Sequence, residues 1–163
     1  IHGLGAGAPP ACNLEAERRL IESVLESIVS GVVRSAHDCS DGGLAVALAE
    51  CAIMKRARPL GARVDLGAWS ELPMRAVLFG EAQGRVVLST DAPDRVLGAA
   101  RRHGVPAREI GTVHEGPDFE IAVGERRFTV PLAALADAYF ESIPRIMSRP
   151  ASATAGSPVP AAV

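Results

Sequence analysis

The sequence predicts one α+β domain: a mixed sheet of about five or six strands with helices packed on it. Three observations predict this class. Segments with helical spacing of apolar residues are interspersed with segments of alternating apolar residues. The chain has 163 residues, the length of one ordinary domain. Apolar residues make up 48% and charged residues 22%, which is enough to bury a core in a soluble globule.

Apolar spacing and chain-breaking residues predict the helices. The first covers residues 14–29, follows the N-cap Asn13 and carries an apolar stripe of Leu14, Ile21, Val24, Leu25 and Ile28. The second covers about 44–54 and is apolar on nearly all sides. A helical turn or two is expected within 73–79, and a third long helix begins at Pro93 and ends at Gly104. The last begins at Pro131, with a stripe of Leu132, Leu135, Tyr139, Phe140 and Ile143.

Short runs of alternating or continuous apolar residues predict the strands. These are expected at 32–36, 62–66, 85–89 and 109–113, and in a hairpin that turns at Gly124 between 119–123 and 128–130. The strand at 85–89 is apolar on both faces, which is typical of a central strand.

Composition also predicts the domain boundaries. Residues 1–12 contain three glycines and Pro9-Pro10, which indicates a linker from upstream domains that this chain lacks, since it opens on Ile1 and not on Met. The folded domain is expected over 13–147. Residues 148–163 are rich in Pro, Ala and Ser and are expected to be a disordered tail.

Charge and apolar run length exclude two classes of partner. Seventeen basic and 19 acidic residues give a net charge of −2, so the chain lacks the basic surface of a nucleic-acid binder. No apolar run approaches the ~20 residues of a membrane span, and no segment of this sequence has the pattern of a secretory signal. The three cysteines show no C-x-x-C spacing. A reduced, cytoplasmic location is therefore expected.

The first candidate site is the segment His37-Asp38-Cys39-Ser40-Asp41-Gly42-Gly43, between a strand and a helix. Paired glycines let the backbone approach a ligand, and free N–H groups at the start of a helix favour a phosphate. Asp38 and Asp41 would repel a bare phosphate unless Mg²⁺ lay between. The alternative is a tight turn in which Ser40 or Asp41 caps the helix.

The second candidate site is the segment Phe79-Gly80-Glu81-Ala82-Gln83-Gly84-Arg85. Glu81 and Gln83 could point at one ligand, while Arg85 could hold an anion or pair with Glu81. The alternative is a polar loop at the start of a strand. A thiolate–imidazole pair of Cys39 and His37 is a weaker hypothesis, because a buried structural cysteine is far more common.

Two runs, SAHDCSDGGLAVALAE (35–50) and LFGEAQGR (78–85), resemble the last domain of phosphoribosylformylglycinamidine synthases, in the aminoimidazole-ribonucleotide-synthetase-like superfamily. The resemblance covers about residues 10–147. It implies an enzyme that amidates formylglycinamide ribonucleotide with ATP and Mg²⁺, through a phosphorylated amide oxygen that ammonia displaces. It also implies that the catalytic histidine lies in upstream domains, so that this chain holds no catalytic residue.

The resemblance makes this chain the second C-terminal-type copy in such an enzyme. The first copy carries a Glu-Ser-Gln substrate contact where this chain has Glu81-Ala82-Gln83, so Ala82 removes a hydroxyl. Cys39 stands where valine is usual, which favours a packing role. If the chain ends naturally at Val163, it belongs to the small form, which recruits a separate glutaminase subunit and a small bridging subunit.

Two alternatives remain open. Other ATP-dependent members of the superfamily, such as aminoimidazole ribonucleotide synthetase or a selenophosphate synthetase, share the domain. A free-standing anion-sensing module would use the Asp38–Gly43 loop as its pocket.

Overall fold

A computed structural model describes residues 11–148, so the expected linker and tail lie almost wholly outside the described residues. Within that range the chain forms, in order, α1 (Leu14–Val29), β1 (Val33–Asp38), α2 (Gly43–Ile53), β2 (Gly61–Asp65), a 3-10 helix (Gly67–Trp69), α3 (Met74–Phe79), β3 (Val86–Thr90), α4 (Pro93–Arg102), β4 (Gly111–His114), β5 (Asp118–Val123), β6 (Arg126–Pro131), α5 (Leu132–Phe140) and α6 (Ser142–Met147). The predicted α+β class is confirmed. None of the helices in this range is long and apolar enough to cross a membrane.

Four strands form a mixed sheet in the order β4-β2-β5-β6. The two inner strands, β2 and β5, are parallel, and each has an antiparallel neighbour on its outer side. The predicted hairpin is confirmed as β5–β6, and Gly124 turns the chain there with φ +61°. Phe119, Ile121 and Val123 alternate along β5, so they share one face of the sheet.

The core lies on that face of the four-stranded sheet. Helices α2, α3 and α5 cover it with side chains that are at most 7% exposed, among them Leu48, Ile53, Val77, Leu78 and Leu132. The nearly all-round apolar character predicted for the second helix is explained by its position in this core. This half of the molecule is therefore closed by its own residues.

The prediction of a single sheet with 85–89 at its centre is wrong. The six strands form two sheets, and β3 pairs only with β1 in a two-stranded antiparallel ribbon. All five residues of β3 are half-buried. Its two apolar faces have different neighbours: Val87 packs against the core, and Val86 lines a surface cleft. Apolarity on both faces therefore does not require a strand on both sides.

Helix α1 is confirmed, and Asn13 caps it by accepting from the N–H groups of Glu15 and Ala16. The helix does not bury its predicted stripe. Its buried residues are Ser23 and Ser27, at 5% and 2% exposure. The α1 helix packs against α4, whose buried residues, Ala99 and Ala100, are also small. Small side chains let two helices approach closely, which leaves the large aliphatic residues of α1 on the outside.

The last predicted helix is two helices, because the chain breaks at Glu141 between α5 and α6. Pro144 has no N–H to continue the ladder of α5. Leu132, Leu135 and Phe140 pack on the core as expected, but Tyr139 and Ile143 are 46% and 71% exposed.

Candidate functional site

The β1–β3 ribbon brings the two candidate segments together. Because the strands are antiparallel, the end of β1 meets the start of β3, with Asp38 opposite Val86. The Cys39 N–H extends the ladder by donating to the Arg85 carbonyl at 2.9 Å. Segments about forty residues apart in sequence are thus neighbours in space.

The two segments and α1 line one cleft of about 520 Å³. The first segment contributes Asp38–Asp41, and the second contributes Glu81–Arg85, so of the predicted site residues Asp38, Ser40, Asp41, Glu81, Gln83 and Arg85 lie together here. The floor is the apolar side of α1, with Leu20, Ile21, Val24 and Leu25. This placement predicts a shared role for the two segments.

The paired glycines allow the first segment to lie close against the backbone of the second. Gly43 has φ +68°, and a Cβ there would lie 2.7 Å from the Gly80 carbonyl oxygen and 2.9 Å from the carbonyl carbon of Phe79. Gly42 has φ +80°, also in the left-handed region that favours glycine. The close backbone contact expected with a ligand is made here with the second loop.

Two of the N–H groups at the start of α2, those of Gly42 and Gly43, are bonded within the chain. Gly42 N–H donates to the Glu81 carboxylate (Oε1) at 2.9 Å, and Gly43 N–H donates to the Ser40 carbonyl at 3.0 Å. Neither Ser40 nor Asp41 supplies the expected side-chain cap. Glu81, from the other loop, places a negative charge at the N-terminal end of α2, where the helix dipole favours one.

Arg85 shapes the loop that presents Glu81. Its guanidinium donates to the carbonyls of Gly80 and Ala82, one on each side of Glu81. Arg85 does not pair with the Glu81 carboxylate, which was one of its two predicted partners. Arg85 therefore acts on the site by holding the loop's backbone.

The cleft is predominantly acidic. Glu17, Asp38, Asp41 and Glu81 line it, against Arg85 as the one basic residue in the lining. A hydrogen bond from Ser40 lowers the pKa of the Asp38 carboxyl, so Asp38 is charged at neutral pH. Residues 11–148 contain no group of three or more His, Cys, Asp or Glu able to hold a metal. Asp38 and Asp41 would supply two carboxylates, and water or the phosphate oxygens of a ligand would complete the coordination of a Mg²⁺ held by them.

His37 and Cys39 do not form a nucleophilic pair. His37 is outside the cleft lining, with Nε2 3.0 Å from the Glu50 carboxylate and Nδ1 2.7 Å from the Asp38 carbonyl. Cys39 is 9% exposed, and burial raises the pKa of its thiol. A raised pKa leaves less thiolate at neutral pH, which is the opposite of what a nucleophile requires.

Sequence reasoning missed the contribution of α1 to the cleft. A stripe of large aliphatic residues is normally the buried face of a helix, so the prediction placed it inside. The signal that could have corrected this was the pair Ser23 and Ser27, which are spaced i, i+4 on another face of the helix.

Comparison with known proteins gives a family and a set of relatives. Residues 2–124 match the family described as AIR synthase related protein, C-terminal domain. The chain is 43% identical over 152 residues to the phosphoribosylformylglycinamidine synthase subunit PurL of Moorella thermoacetica, covering 91% of this chain and 20% of that protein. The same-named protein of Thermomicrobium roseum is 46% identical over 112 residues, covering 68% of this chain and 15% of that protein.

Solved structures agree with the sequence relatives. T. maritima PurL complexed with FGAR superposes with a TM-score of 0.69 at 27% identity, covering 83% of this chain and 24% of that one. T. maritima PurL complexed with ATP gives 0.66 at 29% identity, covering 77% and 22%. The chain spans about a fifth of the length of the curated relatives it matches. Since the family match extends over most of its length, this chain belongs to the family of AIR synthase related proteins, as their C-terminal domain.

Proposed function

We propose that this chain is the C-terminal domain of a phosphoribosylformylglycinamidine synthase. The observation that carries the proposal is the 43% identity to a PurL subunit over 91% of this chain, which includes both loops of the cleft. In the whole enzyme, the amide oxygen of formylglycinamide ribonucleotide attacks the terminal phosphorus of ATP, and ADP leaves. Ammonia then attacks the carbon of the phosphorylated amide, the phosphate leaves, and loss of a proton from nitrogen gives the amidine.

Within that enzyme, the domain over 13–147 packs on an upstream domain and frames half of a second nucleotide site. The residues of this domain bind and position the nucleotide, and none of them takes part in the transfer of the phosphoryl group or of ammonia. Asp38 and Asp41 would hold Mg²⁺, and the metal would offset the charge of the nucleotide phosphates. Glu81 and Arg85 keep the loops in register, through the bonds to Gly42 N–H and to the loop carbonyls. Complexes of related structures with ATP, ADP and AMPPCP support a nucleotide as the ligand.

We also propose the partners of the whole enzyme: a glutaminase subunit that supplies ammonia and a small bridging subunit. The relatives are named as subunits, and one related structure is PurLQS from T. maritima. The cytoplasmic setting expected from the cysteines is part of the same proposal.

Two experiments test this function. In calorimetry with Mg²⁺–ATP, we expect no tight binding to this chain alone, and tight binding would contradict the claim that it holds half of a site. In an activity assay, the longer polypeptide with ATP, Mg²⁺ and ammonia should release ADP only when formylglycinamide ribonucleotide is added. ADP release driven by the amidine product would instead favour the aminoimidazole ribonucleotide synthetase alternative.

A further inference from the structure

The peptide bond between Asp41 and Gly42 differs chemically from every other bond that follows an aspartate. Asp41 is the only aspartate or asparagine in the chain that precedes a glycine. The backbone nitrogen after an aspartate can attack the side-chain carboxyl, and the side chain of the following residue normally hinders that attack. Because glycine has no side chain, the Asp41–Gly42 bond is the one in this chain that is most open to the reaction.

The carboxylate of Asp41 has no partner in the described part of the chain that holds it away from its own backbone. Asp41 is exposed, lines the cleft, and makes neither a side-chain hydrogen bond nor an ion pair with the described residues. Asp38, by contrast, accepts a hydrogen bond from Ser40, and Asp65 accepts one from the Gly67 N–H at 2.7 Å. The Cγ atom of Asp41 is therefore free to turn toward the adjacent nitrogen.

The attacking nitrogen, that of Gly42, is held by the second segment. Its N–H donates to Glu81 Oε1 at 2.9 Å. Attack requires the nitrogen to lose its proton, and this hydrogen bond opposes the loss because it stabilises the N–H form and places a negative charge beside the amide anion. The next residue has little room to turn, since a Cβ on Gly43 would lie 2.7 Å from the Gly80 carbonyl oxygen. The contact between the two segments therefore protects the Asp41–Gly42 bond.

We propose that Asp41–Gly42 is a site of spontaneous aspartate isomerisation, and that the hydrogen bond from Gly42 N–H to Glu81 suppresses the reaction while the two segments are in contact. The Gly42 nitrogen forms a bond to Cγ of Asp41. The carboxyl hydroxyl and the proton of that nitrogen leave as water, which gives a five-membered succinimide. Water then opens the ring at either carbonyl carbon, and the product is aspartate or isoaspartate.

Isomerisation lengthens the main chain at the point where the two segments fit together. In isoaspartate the chain runs through Cβ and Cγ, and the free carboxylate lies directly on Cα. Gly43 packs against the backbone of Gly80 with no space for a Cβ, so the added main-chain atom disrupts this contact. The reaction needs no nucleotide, metal or further domain. Its outcome is therefore independent of the proposed function.

Peptide mass spectrometry of this chain tests the proposal. The chain is incubated for several weeks at neutral pH, and isoaspartate at Asp41 is quantified by electron-transfer fragmentation of the tryptic peptide that contains it. A synthetic peptide of residues 35–50 gives the rate without the fold. The folded chain should isomerise at least about tenfold more slowly than the peptide, because the reaction must wait for the segments to separate. Equal rates in the chain and the peptide would overturn the proposal.

Two variants test whether the protection comes from Glu81. Glu81→Ala removes the acceptor of the Gly42 N–H and should raise the rate of isomerisation by about fivefold. Gly31→Ala, which lowers stability outside the cleft lining, is the control for general loosening of the fold and should leave the rate unchanged. Equal acceleration in both variants would overturn the role of Glu81. A slower reaction in Glu81→Ala would make this carboxylate the base that removes the Gly42 proton, and would also overturn the proposal.

Discussion

Large apolar residues are buried in one half of the molecule and exposed to solvent in the other. In the four-stranded half, α2, α3 and α5 close the core, and Ile53 is 2% exposed. In the half built from the β1–β3 ribbon and α1, Ile21 is 57% exposed on an amphipathic helix that also carries several charged residues. The first half is completed by its own chain. The second presents apolar surface together with carboxylates, of which those of Glu17 and Asp41 make no ion pair with the described residues 11–148. This is the composition of an interface and not of a core.

The largest expected effect comes from truncating the same residue type in each half. Ile53→Ala should lower the free energy of unfolding by about 2–5 kcal/mol, because it leaves a cavity in the closed core. Ile21→Ala should change it by no more than about 0.5 kcal/mol, since its side chain is largely in water and alanine is a good helix former. Urea unfolding of both variants measures the contrast. Equal losses would mean that α1 is packed as tightly as α2.

A glycine pair tests the contact between the two cleft loops. Gly31→Ala should cost about 1 kcal/mol, because φ is +73° but nothing lies within 4 Å of the added Cβ. Gly43→Ala carries the same conformational cost and also forces a Cβ against the backbone of Gly80, so about 2–3 kcal/mol is expected. Thermal or urea unfolding gives both values. A Gly43→Ala cost no greater than that of Gly31→Ala would show that the loops are free to separate.

Thiol labelling sharpens the comparison within the open half. Cys39 is buried among the loops, and its raised pKa reduces the thiolate fraction, so iodoacetamide should modify it at least about tenfold more slowly than the exposed Cys12 at neutral pH. Peptide mass spectrometry resolves the two sites. Rapid modification that disappears in Cys39→Ala would revive the thiolate–imidazole hypothesis.

The fold was predictable where a periodic pattern of apolar residues is consistent with only one structure. The β5–β6 hairpin and the helix after Asn13 follow from alternation and capping alone. The partner of β3 was not predictable, because apolar residues on both faces are equally consistent with a second sheet neighbour and with a cleft. The buried face of α1 was misjudged for a related reason: helix packing through Ser23 and Ser27 depends on the small residues of α4, which lie over seventy positions away.

In the candidate site, too, features set by neighbouring residues were predictable from the sequence, whereas contacts between residues far apart in the chain were not. Each loop was recognisable from its own residues, including the pair Gly42 and Gly43, which allows a close approach of the backbone. The bond from Gly42 N–H to Glu81 joins residues 39 positions apart, and no spacing rule indicates it. Of the amides predicted to bind an external anion, that of Gly42 is therefore held by an internal carboxylate, whose position depends on the pairing of β1 with β3.

Removing that carboxylate should have a smaller effect than the glycine substitution. Glu81→Ala takes the acceptor from Gly42 N–H and the charge from the end of α2, and about 0.5–1 kcal/mol of stability should be lost. Gln83→Ala, at an exposed residue in the same loop, should be nearly neutral. Urea unfolding of the two variants provides the comparison. Equal values would show that Glu81 is no more than a solvated loop residue.

The smallest expected effect is the pH dependence of the contact that holds α1 against α4. Hydrogen bonds from Arg102 and then His103 lower the pKa of the Glu26 carboxyl below its usual 4.5. A carboxyl whose pKa is lower in the folded state stabilises the fold when the pH is above its unfolded-state pKa. That contribution is lost as the pH falls through the folded-state pKa. The Tm difference between the parent and Glu26→Gln should therefore be present at neutral pH and shrink in acid below 4.5. A difference that stays constant across this range would mean that the charge of Glu26 contributes nothing to the contact between α1 and α4.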